Sequence, residues 1–67
     1  MKGYLSCHQI NYFPIIWKCT VMLEDGTYIQ HNINFGYGYP QTKATVKQAF
    51  KSRFSYELLQ RNIQLMN

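Results

Sequence analysis

The chain has 67 residues and a formal charge of +4, with seven Lys and Arg against three Asp and Glu. At this length we expect one domain, residues 1–67, whose small core leaves oligomerisation or a bound partner as a source of extra stability. No apolar run approaches the roughly 18 to 20 residues of a membrane span, and no signal peptide begins the chain, so we expect a cytoplasmic protein without a membrane partner.

The composition favours a binding protein over an enzyme. A basic balance suits a polyanionic partner, although charged residues make up only 15% of the chain. The six tyrosines belong to a residue type that both stacks on nucleic-acid bases and anchors protein interfaces. The expected partner is therefore nucleic acid, DNA rather than RNA, or a protein target.

The first segment, residues 3–10, has no helical periodicity and is predicted to be a first strand or an extended arm. Pro14 then blocks the continuation of a paired strand. Cys7 and Cys19 lie in strand-like segments of a chain expected to be cytoplasmic. They are predicted to be reduced thiols that pack as small hydrophobic residues.

Residues 15–35 are predicted to form a β-hairpin, and the alternation of their side chains decides its register. A two-residue Asp–Gly turn would mix apolar and polar side chains on both faces. A three-residue loop with Gly26 in the left-handed region instead makes one face almost wholly apolar. This register pairs Val21 with Ile29, Trp17 with Ile33 and Ile15 with Phe35.

The two faces of this hairpin have different predicted roles. The apolar face is predicted to pack against a helix, bringing together Trp17, Val21, Ile29, Ile33, Val46 and Phe50. The opposite face displays amides, hydroxyls and one cation, namely Lys18, Thr20, Tyr28, Gln30, Asn32 and Asn34, of which all but Asn34 are predicted to bind a partner. Amides suit adenine, lysine suits guanine, and a β-ribbon enters the major groove, so this face either binds a partner or is simply the solvated side of the sheet.

Two glycines and a proline end the sheet over residues 36–40, a segment that contains Tyr37 and Tyr39. The tyrosines are predicted to form an interface hot spot or a base-stacking pair, unless one of the rings covers the open end of the core. The segment lacks the Lys-Ser/Thr pair of a phosphate-binding loop, so no nucleotide cofactor is expected.

A helix is predicted from Thr42, a suitable N-cap, to residue 54. Its apolar stripe consists of Val46, Ala49, Phe50 and Phe54. A second row, which we call the lysine ridge, consists of Lys43, Lys47 and Lys51. The ridge is either the solvated side of the helix or a phosphate-contacting surface beside the exposed sheet face.

Beyond residue 54 the apolar stripe moves to the other side of the helical cylinder. The members of this C-terminal stripe are Tyr56, Leu59, Ile63 and Met66. One straight helix cannot bury both stripes in one small core. Either the helix breaks within residues 52–55 and folds back, or the C-terminal stripe forms the interface of a symmetric dimer.

The predicted pairing places His31 beside Cys19, and with Cys7 and His8 it invites comparison with nucleophilic or zinc sites. The chain has no C-x-x-C or H-x-x-x-H spacing, and no third group is evident to orient a catalytic histidine. We therefore expect a thiol packed beside a hydrogen-bonded histidine, with no catalytic residues, no metal and no cofactor.

The segments Trp17–Cys19, Asp25–Gly26 and Gly38–Phe50 resemble the small N-terminal arm-binding domains of phage-type tyrosine recombinases over residues 15–54. In that family the sheet inserts into a DNA major groove, and the resemblance implies this role for Lys18, Thr20, Gln30 and Asn32. The chain departs from the family because its strands are not rich in arginine.

The predicted fold is α+β, a three-stranded antiparallel sheet packed on one face by a C-terminal helix that is whole or broken into two. The leading functional prediction is a small non-enzymatic binding protein of the mobile-element type, which contacts nucleic acid through the polar sheet face and the lysine ridge. The alternative is a small inhibitor or adaptor, for example one that blocks a host or defence nuclease, which binds protein through the tyrosine loop and the sheet face.

Overall fold

The computed structural model describes residues Met1–Asn67 and shows an α+β fold. Its elements are β1 (Lys2–Tyr12), β2 (Ile15–Leu23), β3 (Tyr28–Gly36), α1 (Lys43–Arg53), α2 (Ser55–Gln60) and β4 (Gln64–Leu65). The sheet has the order β3-β2-β1-β4, in which β4 runs parallel to β1 and the other neighbours are antiparallel. The predicted class and its three antiparallel strands are confirmed, whereas the predicted strand number is too small.

The additional strand, β4, pairs residues 64 and 65 with residues 2 and 3 of β1. Gln64 N donates to Met1 O at 2.8 Å, and Met66 N donates to Gly3 O at 2.9 Å. A two-residue strand is too short to show an alternating pattern, so periodicity did not reveal it.

The side-chain amide of Asn67 extends the β4 pairing by one residue, because it forms the two hydrogen bonds with Leu5 that a backbone amide would form. Its Oδ1 accepts from Leu5 N and its Nδ2 donates to Leu5 O, both at 2.8 Å. The outer edge of β1 is therefore covered from Met1 to Leu5, first by backbone and then by a side-chain amide.

The β2–β3 hairpin has the predicted bulged turn. Gly26 has a φ of 91°, and Leu23 N donates to Thr27 O at 2.8 Å. Hydrogen bonds from the Thr27 hydroxyl and backbone N–H to Asp25 Oδ1 lower the pKa of the Asp25 carboxyl and hold the turn. The predicted pairs Val21–Ile29 and Trp17–Ile33 are confirmed.

The last predicted pair of the hairpin is wrong, because Ile15 lies opposite Gly36 rather than Phe35. The register shifts by one residue between Ile15 and Ile16, which an uninterrupted alternation does not anticipate. Gly36 has a φ of 73°, and its N–H donates to Asn34 Oδ1 at 2.8 Å, so β3 turns away from the sheet at this point.

The predicted first strand is confirmed and is longer than expected. β1 pairs with β2 along nearly its whole length, so it is an inner strand and not an extended arm. Leu5 and Cys7 point into the core, while Tyr4, Ser6 and His8 alternate onto the opposite face.

The helix begins and ends as predicted. Thr42 is its N-cap, and Thr42 and Thr45 exchange reciprocal backbone-to-hydroxyl hydrogen bonds of 3.2 and 3.0 Å. Phe54 is the C-cap, and its N–H donates to Phe50 O. α1 lies against the inner face of β1 and β2.

The core lies between the inner face of the sheet and the two helices. Its buried members are Leu5, Cys7, Ile15, Trp17, Cys19, Val21, Ile33, Val46, Phe50 and Leu58. The predicted inner-face set is thus confirmed, except that Ile29 is only half-buried.

The predicted helix break is confirmed, but the C-terminal stripe is not one helical face. α2 ends at Gln60, and Asn62 has a φ of 57°, so the chain leaves the helix before Ile63. Ile63 packs against the protein's own core beside Leu58, whereas Tyr56 and Leu59 are 70% and 74% exposed. Ile63 is therefore not free to join a dimer interface, whereas an interface that includes Tyr56, Leu59 and Met66 stays a prediction.

Neither helix has both the length and the apolar character that crossing a membrane requires.

Candidate binding surfaces

The outer face of the sheet, opposite the helices, brings together every sheet residue predicted to bind a partner. Three cross-strand rows run over β1, β2 and β3: Tyr4–Met22–Tyr28, Ser6–Thr20–Gln30 and His8–Lys18–Asn32. These nine residues are exposed or half-buried, and we call them the outer face. The predicted set of Lys18, Thr20, Tyr28, Gln30 and Asn32 lies within it.

The register of the antiparallel strands produces the polar part of the outer face. Lys18 lies between His8 on one neighbouring strand and Asn32 on the other, and its side chain is half-buried by them. One row away, Gln30 Nε2 donates to Thr20 Oγ1 at 3.2 Å. A single cation thus lies among an imidazole, amides and hydroxyls, which are side chains with both hydrogen-bond donors and acceptors.

The contribution of β1 to the outer face was not predicted. Tyr4, Ser6 and His8 occupy alternate positions in a strand whose other positions are Gly3, Leu5 and Cys7. That alternation is readable in the chain, but without a partner strand it does not indicate which face is solvated. Tyr4 and Tyr28 consequently flank Met22 as an exposed row, two strands apart.

Carboxylates are placed away from Lys18. Glu24 and Asp25 lie in the β2–β3 turn, and Glu24 Oε1 accepts from Lys2 N at 3.2 Å. Glu57 lies on the helical side of the sheet, where it contacts His31. The centre of the outer face therefore carries positive charge that no acidic side chain pairs.

Aromatic side chains gather at the end of the sheet remote from the β2–β3 turn. Phe13 and Tyr37 meet edge to face with ring centroids 4.6 Å apart. Tyr12, Phe13, Tyr37 and Tyr39 are between 67% and 89% exposed, and we call them the aromatic tip. Tyr37 and Tyr39 are presented to solvent and do not cover the core, and Tyr12 and Phe13 were not predicted to join them.

The lysine ridge lies in the helical layer and not beside the outer face. Lys43 is exposed, and Lys47 and Lys51 are half-buried on α1, which packs on the inner side of the sheet. The contact of the ridge with a duplex held by the exposed sheet face stays a prediction. A sheet and a helix are each about 10 Å thick, so ridge and outer face occupy opposite sides of the molecule.

Lys51 instead borders an open hollow of about 340 Å³. Its other lining residues are Ser55, Leu58, Leu59, Ile63 and Leu65. The hollow forms because α2 and β4 approach each other without filling the space between them, so Leu59 of the predicted dimer stripe lies at its rim.

His31 has the orienting group that sequence reasoning did not find. His31 Nε2 and Glu57 Oε2 are 2.9 Å apart, and Phe54 stacks on the imidazole with ring centroids 4.2 Å apart. Cys19 is directly across from His31 in the sheet. The spacing of 26 residues between His31 and Glu57 gives no local signal, because the contact depends on how α2 docks.

The Cys19 thiol is nevertheless unsuited to act as a nucleophile. It is fully buried, and burial together with a hydrogen bond to Cys7 raises the pKa of Cys19 from 9.0 to about 12. The thiolate, which is the reactive form, is thus suppressed at neutral pH. Both cysteines are free thiols in the structure, and no group of three His, Cys, Asp or Glu side chains is arranged to hold a metal ion.

A pH prediction follows from the Cys19 thiol. Between pH 9, near the pKa of the unfolded thiol, and pH 12, the folded state binds more protons than the unfolded state, so the free energy of unfolding should fall as pH rises. Urea titrations across this range should show a steeper loss for the native protein than for Cys19→Ala. Equal slopes for the two proteins would contradict the raised pKa.

No family model, curated protein or solved structure matches this chain.

Proposed function

We propose that this protein is a small non-enzymatic nucleic-acid-binding protein, of the type carried by mobile elements, and that it contacts duplex DNA through the outer face. The observation that supports this most directly is one helix-free sheet face with a central, unpaired Lys18 among side chains suited to base edges. The net charge of +4 favours approach to a polyanion.

The width of the β2–β3 ribbon, which carries Lys18, Gln30 and Asn32 of the outer face, suits the major groove. The groove is about 12 Å wide and accepts a two-stranded ribbon, and neighbouring strands are about 4.8 Å apart. In this pose Lys18 donates to guanine, while Gln30 and Asn32 are placed for adenine. The tyrosines of the first row lie beside the polar rows, where they contact the sugar–phosphate backbone.

Fluorescence anisotropy with labelled duplex and single-stranded DNA at two salt concentrations tests the proposal. We expect micromolar, salt-dependent binding of duplex by the native protein, and a loss of about tenfold or more for Lys18→Gln because one base contact is removed. The fold of the variant is checked by circular dichroism, since Lys18 contributes little to the core.

The lysine ridge supplies a matched control that removes more charge. Replacing Lys43, Lys47 and Lys51 together by Gln should weaken binding less than the single Lys18→Gln change, because α1 packs on the other side of the sheet from Lys18. Loss of binding in the ridge variant with full binding in Lys18→Gln would show that the outer face is not the contact surface.

A second candidate function rests on the aromatic tip. Exposed aromatic rings at one end of the molecule are typical of protein hot spots, which favours an inhibitor or adaptor that inserts this end into a partner. Under the DNA proposal, Phe13→Ser with Tyr37→Ser should leave DNA affinity unchanged. A native protein without salt-dependent binding to any nucleic acid would instead favour this second function.

A further inference from the structure

The two outer edges of the sheet differ in how they are protected. The β1 edge is covered by β4 and then by the Asn67 amide, and a bulge between Gln9 and Asn11 distorts its far end. These are devices that prevent an edge from pairing with another chain. β3 has no covering strand or side chain, because it is the last strand in the order β3-β2-β1-β4 and pairs only with β2, and its one irregularity, the register shift at Phe35, lies beyond Asn34.

The hydrogen-bond pattern identifies the free backbone groups of β3. Leu23 N donates to Thr27 O, so the pairs with β2 that exchange hydrogen bonds are those of Ile29, His31 and Ile33. The intervening residues direct N–H and C=O away from the sheet, and they are Tyr28, Gln30, Asn32 and Asn34.

Nothing in the sequence of β3 discourages pairing. The strand contains no Lys, Arg, Asp, Glu or Pro, and its pairing with β2 is uninterrupted from Tyr28 to Asn34. An uncharged and regular edge of this length is a template for another strand. A domain of this size also gains much of its attainable stability from association.

We propose that β3 pairs antiparallel with β3 of a second copy of this chain, around a two-fold axis at His31. This register places Tyr28 against Asn34, Gln30 against Asn32 and Ile29 against Ile33 of the second copy. All four outward-facing residues then lie in pairs that exchange two backbone hydrogen bonds each.

The side chains of β3 favour a second copy over an unrelated peptide. The half-buried Ile29 lies opposite the apolar Ile33 on the inner face, while on the outer face Gln30 lies opposite Asn32 and Tyr28 opposite Asn34. The interface is self-complementary, as a two-fold interface requires; the one titratable side chain that lies opposite its own copy is His31, which in each copy contacts the carboxylate of Glu57. The product is one continuous eight-stranded sheet, and its formation does not depend on whether the protein binds DNA.

Hydrogen exchange on the native protein tests this interface without any substitution. With rising protein concentration, the amides of Gln30 and Asn32 should become protected by about tenfold or more, whereas those of Ile29 and Ile33 should be protected at all concentrations. Sedimentation over the same range should show monomer converting to dimer. A protein that remains monomeric throughout overturns the proposal, as does a dimer whose Gln30 and Asn32 amides stay unprotected.

Proline substitution provides a second test with a matched control. Asn32→Pro removes an outward N–H and leaves the pairing with β2 intact, so it should abolish the dimer while Trp17 remains packed. Gln9→Pro removes an outward N–H from the β1 edge and should dimerise like the native protein. If Asn32→Pro dimerises as well as Gln9→Pro, the interface does not include the β3 edge. If only Gln9→Pro loses the dimer, the interface lies at the β1 edge.

Discussion

Replacing Trp17 by Ala is expected to unfold this domain. The indole is 6% exposed and belongs to the buried core cluster, so its removal should cost about 3 to 5 kcal/mol through lost burial and the cavity that remains. Small domains have a free energy of unfolding of only about 5 kcal/mol or slightly more. Urea titration followed by far-ultraviolet circular dichroism measures the loss.

Two other substitutions serve as controls for the Trp17 prediction. Trp17 Nε1 is buried without an acceptor, so Trp17→Phe removes an unsatisfied donor and should cost much less than Trp17→Ala. Tyr28→Ala on the outer face should change the stability by about 0.5 kcal/mol or less. If Tyr28→Ala proved as damaging as Trp17→Ala, the assignment of inner and outer faces would be reversed.

Gly3→Ala is expected to destabilise the protein by about 1 to 3 kcal/mol, since it adds a methyl group where there is no space. A Cβ at this position would lie 2.7 Å from Val21 Cγ1 and 3.1 Å from Ile63 Cγ2. Val21 is fully buried and short, so it cannot move aside, and displacement of Ile63 would loosen β4. The midpoint of urea unfolding reports the change.

Gly38→Ala is the matched control for Gly3→Ala. A Cβ at Gly38 meets no atom within 4 Å, and its φ is not in the left-handed region. The substitution should be neutral or should stabilise the protein by about 0.4 to 1 kcal/mol, because alanine restricts the unfolded chain. A Gly3→Ala variant as stable as Gly38→Ala would mean that Val21 and Ile63 do not pack against Gly3 as described.

The hairpin and the helix were predictable because each carries redundant local signals. The β2–β3 register followed from the alternation of side chains together with Gly26, which adopts the left-handed conformation of a three-residue turn without a steric penalty. Thr42 marked the start of the helix. Each of these features depends on residues that are near neighbours in the chain. The predicted set of sheet residues on the outer face was correct for the same reason.

The features that escaped prediction depend on long-range docking. The contact between His31 and Glu57 spans 26 residues, and the hydrogen bonds of Asn67 to Leu5 span 62. The register shift at Ile15 inserts one residue into an otherwise regular pattern, which alternation alone cannot detect. The lysine ridge was read correctly as a row on a helix, but its distance from the outer face depends on which side of the sheet the helix occupies.

The short pairing between the two ends of the chain bears on local unfolding. β4 is held by few hydrogen bonds and closes a loop that contains nearly the whole chain, so it is expected to open more readily than the inner strands. Opening would release the N–H and C=O of Gly3 and Leu5 while leaving β1 paired with β2. When β4 separates from β1, the β1 edge of the sheet is left unpaired and can pair with a strand of another copy, as the β3 edge can. The pairing of residues 64–67 with β1 therefore limits the protein to small assemblies with a defined number of copies.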